Sequence, residues 1–366
     1  MRYGLSADVR DQVRRGIAEH FAVRPREFSW RRGRTAYRVL VAECMLQQTR
    51  ADAVGPFFER FIAQFPDPCA LAIAPESDVL AAWQGLGYYR RAVHLQQAAA
   101  EICQRHGGAV PSDPAVLAAL PGVGPYIAAA VGSIAFGNRA AAVDANVRRV
   151  LARIAGITEP LGRPETERTL RDLAADLLPD GDPGRWNEAL MEFGAVICRP
   201  SAPRCGQCPV RGVCQADARG LTERIPTRPA RPQRPIEELA ALVLRDGLGR
   251  TYLLRRPPGL LGGFWEVPTL PWAEVPALIV TARDRFGLGV AALAPRGRIR
   301  HEFTHRRWDI AVYLGAAEPT APPQSEAGWF APAEMVGRPL AGPTRRALQR
   351  VATQDAEPIR RMVPGS

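Results

Sequence analysis

The chain reads as two domains of different class: an all-α region up to about residue 216, then a small α+β domain. Three observations predict this. Apolar residues recur at helical spacing through the first part, with almost no period-two alternation there. Strand-like alternation begins only beyond residue 236. Between them lies a segment, 224–235, rich in proline and arginine and of linker composition. The expected boundaries are the all-α region over 1–216, a linker over 217–235, the α+β domain over 236–355 and a tail over 356–366. Within the first region, a six-helix lobe should span about 33–142, and a second lobe should combine the N-terminal helix with 143–216.

A length of 366 residues with 46% apolar content fits more than one globular domain. The net charge is +11, and every basic residue is arginine, with no lysine at any position. A balance this basic favours a polyanionic partner, and guanidinium forks suit phosphates and base edges. The N-terminus shows no apolar leader core, so a cytoplasmic, nucleoid-associated protein is expected. The uncharged run 116–137 is broken by Pro-Gly-Val-Gly-Pro and reads as two buried helices, not a membrane span.

Taken in order, 7–21 has the pattern of an amphipathic helix. Residues 23–34 are irregular and hold Arg26, Trp30 and Arg31. Residues 37–49 return to helical spacing, with Glu43 the one carboxylate among Val39, Leu40, Cys44 and Met45. Helical segments follow at 51–65, 78–83 and 90–106, and Gly85-Leu86-Gly87-Tyr88-Tyr89 forms a glycine turn before the last. Asp113 caps a helix over 113–120, Pro121 ends it, Gly122 and Gly124 form a hairpin, and Pro125 opens a helix over 125–137. The hairpin N–H groups and the positive helix end suit a phosphate. Asp144 caps the next helix, and helices are expected at 146–155, 164–178 and 185–196. Strands are expected at 239–244, 251–255, 299–303 and 308–313, with one helix at 275–286.

Glu43 lies on an apolar helix, where burial favours the protonated acid. Asp144 lies at a helix N-terminus, where it should stay ionised. Two carboxylates in opposite environments make an acid–anion pair. Cys198, Cys205, Cys208 and Cys214 have the spacing C-x6-C-x2-C-x5-C. Four thiols this close hold a metal centre or form disulfides, and a helical chain without a secretion signal disfavours disulfides. Zinc sites usually present two C-x2-C pairs, so the wide first gap favours a four-iron cluster. Cys44, Cys69 and Cys103 are isolated and read as reduced thiols.

The hairpin followed by Asp144, together with the cysteine set, resembles the helix–hairpin–helix iron–sulfur DNA glycosylases. Ala42-Glu43-Cys44-Met45-Leu46-Gln47-Gln48-Thr49, the Gly85–Tyr89 turn and the appended domain narrow the resemblance to MutY-type adenine DNA glycosylases. It covers nearly the whole chain, with several independent motifs in the right order. It implies a monofunctional enzyme that hydrolyses the N-glycosidic bond of adenine opposite 8-oxoguanine or guanine. It further implies one 4Fe–4S cluster, a double-stranded DNA partner and a monomeric state. By the resemblance Glu43 protonates adenine N7 and later activates water, Asp144 stabilises or attacks the sugar cation, and Tyr126 and Asn146 orient them. Gln48 and Tyr88, with Thr49 and Leu86 beside them, are carried over as wedging residues that fill the gap left by a flipped base. Arg26, Trp30, Arg31 and Glu188 correspond to the adenine pocket, and Gly122 and Gly124 to the phosphate-binding hairpin. Core roles for Trp30 and Tyr88 remain open at this point.

The C-terminal domain resembles the Nudix fold. Where the phosphohydrolase signature needs clustered glutamates, 280–287 keeps only Asp284, so pyrophosphatase activity is not expected. The family's 8-oxoguanine-reading Phe-Ser-His loop corresponds to Phe303, Thr304 and His305, with a threonine for the serine. Ala145 stands where the family usually has glycine. The nearest rival, an endonuclease III-like glycosylase with lyase activity, places a lysine where this chain has Tyr126. A non-enzymatic iron–sulfur DNA-binding protein would have no use for Glu43 opposite Asp144.

Overall fold

The computed structural model describes residues 3–23, 25–227, 234–257, 259–321 and 326–361, with side chains up to 354. The chain divides into two compact units, 1–74 with 85–231 and 75–84 with 232–366.

The first unit is helical. Its N-terminal helix Ala7–Val23 buries Val13, Ile17 and Phe21 against Val147, Val150 and Leu151 of Ala145–Ala155 and Trp186, Leu190 and Phe193 of Pro183–Val196. The start of the chain thus completes a lobe formed by residues beyond 143. The helices Ala36–Leu46, Ala51–Gln64, Arg90–His106, Pro114–Ala119 and Pro125–Phe136 fall where apolar periodicity places them. A short helix, Pro68–Ile73, was not anticipated; Asp67 caps it by accepting from Ala70 N at 2.8 Å. It packs beside Arg90–His106. That pairing overturns the reading of Cys69 and Cys103 as reduced thiols: their Cα atoms stand 5.3 Å apart and the sulfurs are bonded. Cys44 is buried and free, as expected.

The boundary expected at residue 216 falls too early. Ile225 is buried, and Arg153 Nε donates to its carbonyl at 2.8 Å, so the chain stays packed in the first unit well past that point. Most of the arginine–proline segment, 228–233, and the end of the tail, 362–366, lie outside the described residues.

Among the described residues the second unit holds a mixed sheet of β1 (Ile236–Arg245), β2 (Thr251–Arg255), β3 (Trp265–Glu266), β4 (Thr269–Pro271), β5 (Leu288–Val290), β6 (Ala294–Glu302), β7 (Arg307–Pro319) and β8 (Ala327–Phe330). The central pair, β1 and β7, is parallel, and β6 pairs antiparallel with β7. Ala240, Leu242 and Leu244 of β1 face the helix Val275–Phe286, and Ala241 and Val243 face the helix Gly342–Arg361. A strand covered on both faces reads as a continuous apolar run, as this one does. The second covering helix was not anticipated. It runs to Arg361, past the expected domain end at 355.

Candidate active site

Glu43 sits in the last turn of Ala36–Leu46 and is 5% exposed. The Tyr126 hydroxyl, from the first turn of Pro125–Phe136, donates to its Oε2 at 2.6 Å and also contacts Met191 Sδ at 3.2 Å. Burial raises the Glu43 carboxyl to about 7, the negative charges of Asp144 and Glu188 add to the rise, and the tyrosine hydrogen bond and Arg31 oppose it. The rise is in the direction expected of an acid on an apolar helix.

Asp144 caps Ala145–Ala155, its Oδ1 accepting from Val147 N at 2.7 Å and its Oδ2 from Asn146 Nδ2 at 2.8 Å. The cap is as expected, but the contrast with Glu43 is one of degree. Burial raises the Asp144 carboxyl too, because the site removes water from both groups, and only the donors around Asp144 and the Arg149 charge pull it back. Arg149 was not singled out from sequence. Its guanidinium donates to Asn146 Oδ1 at 2.9 Å, to Gly194 O at 2.7 Å and to Cys198 O at 2.8 Å, so it connects the Asp144 cap to the first cysteine of the cysteine loop. Gly194 permits this approach: an added Cβ would meet Asn146 Cβ at 2.7 Å.

Of the expected adenine-pocket residues, Arg31 and Glu188 are brought together, at 3.2 Å. Arg31 also pairs with Glu192 at 2.8 Å, and Arg34 with Glu188 at 2.8 Å. Arg26 joins through its backbone N–H, which donates to Glu192 Oε1 at 2.8 Å. Trp30 is buried, stacked on Phe28 at 4.3 Å, with Phe58 at its edge. Glu192 and Arg34 were missed. Glu192 sits four positions after Glu188 on the same helix, and that spacing was the available signal.

Gln48 and Tyr88 share an unusual backbone, with φ of 58° and 50°, the left-handed region that side chains other than glycine rarely enter. Both are exposed, Tyr88 at 47%, which removes the core reading for it. In the hairpin, Gly122 has φ of 72°, and an added Cβ would come within 2.6 Å of His94 Cβ. Gly124 does not need glycine's freedom, since its φ of −80° is open to any residue. The lack of a side chain there leaves open space over the start of the helix Pro125–Phe136. Ala145 is not among the positive-φ residues, so alanine replaces the family's glycine without backbone strain.

Cys198, Cys205, Cys208 and Cys214 line a single cavity with Arg153 and Arg211. Burial and the neighbouring thiols raise Cys208 to about 12. Such a nest of sulfurs is suited to a cationic core that would hold them as thiolates. Among the described residues no His, Cys, Asp or Glu group has the geometry of a single-ion site.

In the second unit Phe303, Thr304 and His305 form the turn between β6 and β7, closed by Phe303 N donating to Arg306 O at 2.9 Å. Phe303 packs between His301, at 4.5 Å, and Trp308, at 4.8 Å, and Thr304 and His305 are exposed at the tip. Glu237 steadies the base of this turn, accepting from Arg306 at 2.7 Å and from Trp308 Nε1 at 2.9 Å. No helix among the described residues is long and apolar enough to cross a membrane.

Residues 41–176 match the family described as HhH-GPD superfamily base excision DNA repair protein, and 240–350 match the NUDIX domain. The chain is 31% identical to the adenine DNA glycosylase of Rattus norvegicus, over 87% of this chain and 74% of that protein. It is equally similar, at 31%, to the adenine DNA glycosylase of Homo sapiens, over 87% of this chain and 70% of that one. Among solved structures, a thermostable thymine-DNA glycosylase matches with a TM-score of 0.52 at 30% identity, over 58% of this chain and 98% of that one.

Proposed function

This chain belongs to the adenine DNA glycosylase family, and from that premise we propose that it excises adenine paired with 8-oxoguanine or guanine, by hydrolysis and without cutting the strand. The observation that carries the reading is Glu43: a carboxyl raised to about 7 by burial, fixed by Tyr126 and electrostatically coupled to Asp144. A group that is part protonated near neutrality can give a proton and later take one.

In the proposed reaction the C1′–N9 bond breaks and its electron pair leaves with adenine, which takes the Glu43 proton at N7. The sugar is left cationic. Asp144, with both oxygens oriented by Asn146 and Val147, is assigned to balance that charge. The Glu43 carboxylate then takes a proton from water as its oxygen bonds to C1′. Arg26, Trp30, Arg31 and Glu188 line the adenine pocket, while Gln48 and Tyr88 occupy the emptied stack. Thr49 and Leu86 flank these wedges, and Gly122 and Gly124 open the hairpin to a backbone phosphate.

Cys198, Cys205, Cys208 and Cys214 would hold a 4Fe–4S cluster. Once bound, such a group supplies a cross-link that fixes the loop over 198–214. Phe303, Thr304 and His305 are assigned to reading 8-oxoguanine, on an exposed turn in a basic setting. A Schiff-base lyase step needs a nucleophilic amine, and no lysine exists in this chain to supply one. The enzyme is assigned to the cytoplasm, as a monomer on duplex DNA.

The test is base release from duplexes containing adenine opposite 8-oxoguanine, guanine or thymine. Release from the first two, little from the third, and an intact abasic strand are expected. Release of an oxidised pyrimidine with strand cleavage would assign the chain to the endonuclease III type instead.

A further inference from the structure

The two wedge residues are held by loops 40 positions apart in sequence, and one side chain ties both down. Arg91 lies in the first turn of Arg90–His106. Its guanidinium donates to the carbonyls of Cys44 at 2.9 Å, Met45 at 3.0 Å and, more closely still, Gln47. It reaches Thr49 Oγ1 at 3.3 Å on the far side of Gln48. The same group donates to Leu86 O at 3.3 Å, Gly87 O at 2.9 Å and Tyr88 O at 3.3 Å, and its Cζ lies 5.6 Å from the Tyr88 ring centre.

Each partner has a physical reason. Cys44 and Met45 belong to the last turn of Ala36–Leu46, whose carbonyls lack intrahelical donors and gather negative charge, so a cation there is favoured. Gln47 immediately precedes the left-handed position at Gln48, and Leu86 and Gly87 lead into the one at Tyr88. Strained backbone of this kind persists only when its surroundings hold it. A planar fork with five N–H donors can serve carbonyls on two loops at once; an ammonium on a flexible stem cannot.

We propose that Arg91 is the positioning residue for base eversion: it presets Gln48 and Tyr88 as a matched pair before DNA arrives. This rests on the reading of Gln48 and Tyr88 as wedges. The contacts described place Arg91 on the segments that bear Gln48 and Tyr88, so its principal effect is expected on opening the stack.

The experiment uses the whole protein and two duplexes. In one, adenine is paired with 8-oxoguanine inside a continuous stack. In the other, adenine is unpaired in a one-nucleotide bulge, where much of the cost of extrusion is already met. Arg91→Ala should slow single-turnover release from the paired duplex by roughly 10-fold to 100-fold, the scale on which misplaced positioning groups act. It should cost several-fold less on the bulge. Arg91→Lys should behave like Arg91→Ala, since charge without the fork does not join the loops, and it carries the test if the alanine variant fails to fold. A fluorescent 2-aminopurine in the adenine position should show slower eversion in both variants. Equal losses on the two duplexes, or full rescue by lysine, would overturn the proposal. Gln48→Ala and Tyr88→Ala separate this from the wedge reading itself. If neither slows release from the paired duplex, the wedge reading fails; if both do so while Arg91→Ala adds its full loss on top of theirs, only the Arg91 role fails.

Discussion

Tyr126 donates a 2.6 Å hydrogen bond to Glu43 Oε2, joining the end of one helix to the start of another. The bond favours the carboxylate and therefore works against the burial that raises Glu43 to about 7. Because the proposed reaction consumes the Glu43 proton, the single-turnover rate should fall as pH rises through about 7. Removing the tyrosine donor should raise the carboxyl further. Tyr126→Phe should thus move the alkaline limb of the pH–rate profile to higher pH, and an unmoved limb would show that the bond does not set this acidity. Glu43→Gln should abolish release while keeping binding to the mispair.

Asp144→Asn isolates charge from capping. Asparagine caps a helix about as well as aspartate and can still accept from Val147 N, so the fold should survive. The neutral amide cannot balance a sugar cation, and a loss on the order of 10²–10³ in single-turnover rate is expected. Melting curves beside the rates would decide: a matching loss of stability would make the residue structural.

Gly194→Ala should act at a distance. The added methyl would fall 2.7 Å from Asn146 Cβ, and Asn146 is the donor that orients Asp144 Oδ2. Release should slow by roughly 10-fold or more while DNA affinity holds, as for other positioning shifts. Unchanged release would mean the helices separate without disturbing Asp144.

Protein made under iron-replete, anaerobic conditions should contain about four irons per chain, the content of a Cys₄-ligated cluster. Replacing Cys208 with serine should lower iron content and weaken DNA binding together. Stoichiometric zinc in place of iron would refute the assignment.

Borohydride added during turnover should trap no protein–DNA adduct through a side chain, because a Schiff base requires an amine and arginine stays protonated. An adduct mapped by peptide analysis to the region around Tyr126 would contradict hydrolysis as the only chemistry.

What could be read in advance followed from local chemistry. Asp144 was legible because an Asx residue before an apolar helical run is a cap, and Glu43 because it is one carboxylate among apolar neighbours. Arg91, Arg149 and Glu192 were not, since each draws its role from carbonyls or charges brought near only by folding. The bond between Cys69 and Cys103 was hidden for the same reason: they are 34 positions apart, and the helix carrying Cys69 is too short to show a period. The short strands β4, β5 and β8 escaped notice because three or four residues cannot display alternation. Environment also changed one expectation, as burial proved to raise Asp144 as well as Glu43.

His94 stands one turn beyond Arg91 on the helix Arg90–His106, and Gly122 presses against it with no room for a side chain. The turn suited to a phosphate and the loops bearing Gln48 and Tyr88 are therefore mounted on one rigid rod. A rod makes a gauge. In the proposed reaction, the distance from a gripped phosphate to the parted base step would be set by protein, and the duplex would distort to match it. Stiff, well-stacked DNA would resist that fit, while a step loosened by a mispair would yield to it, which would make mechanical compliance a basis of selection before any base is read.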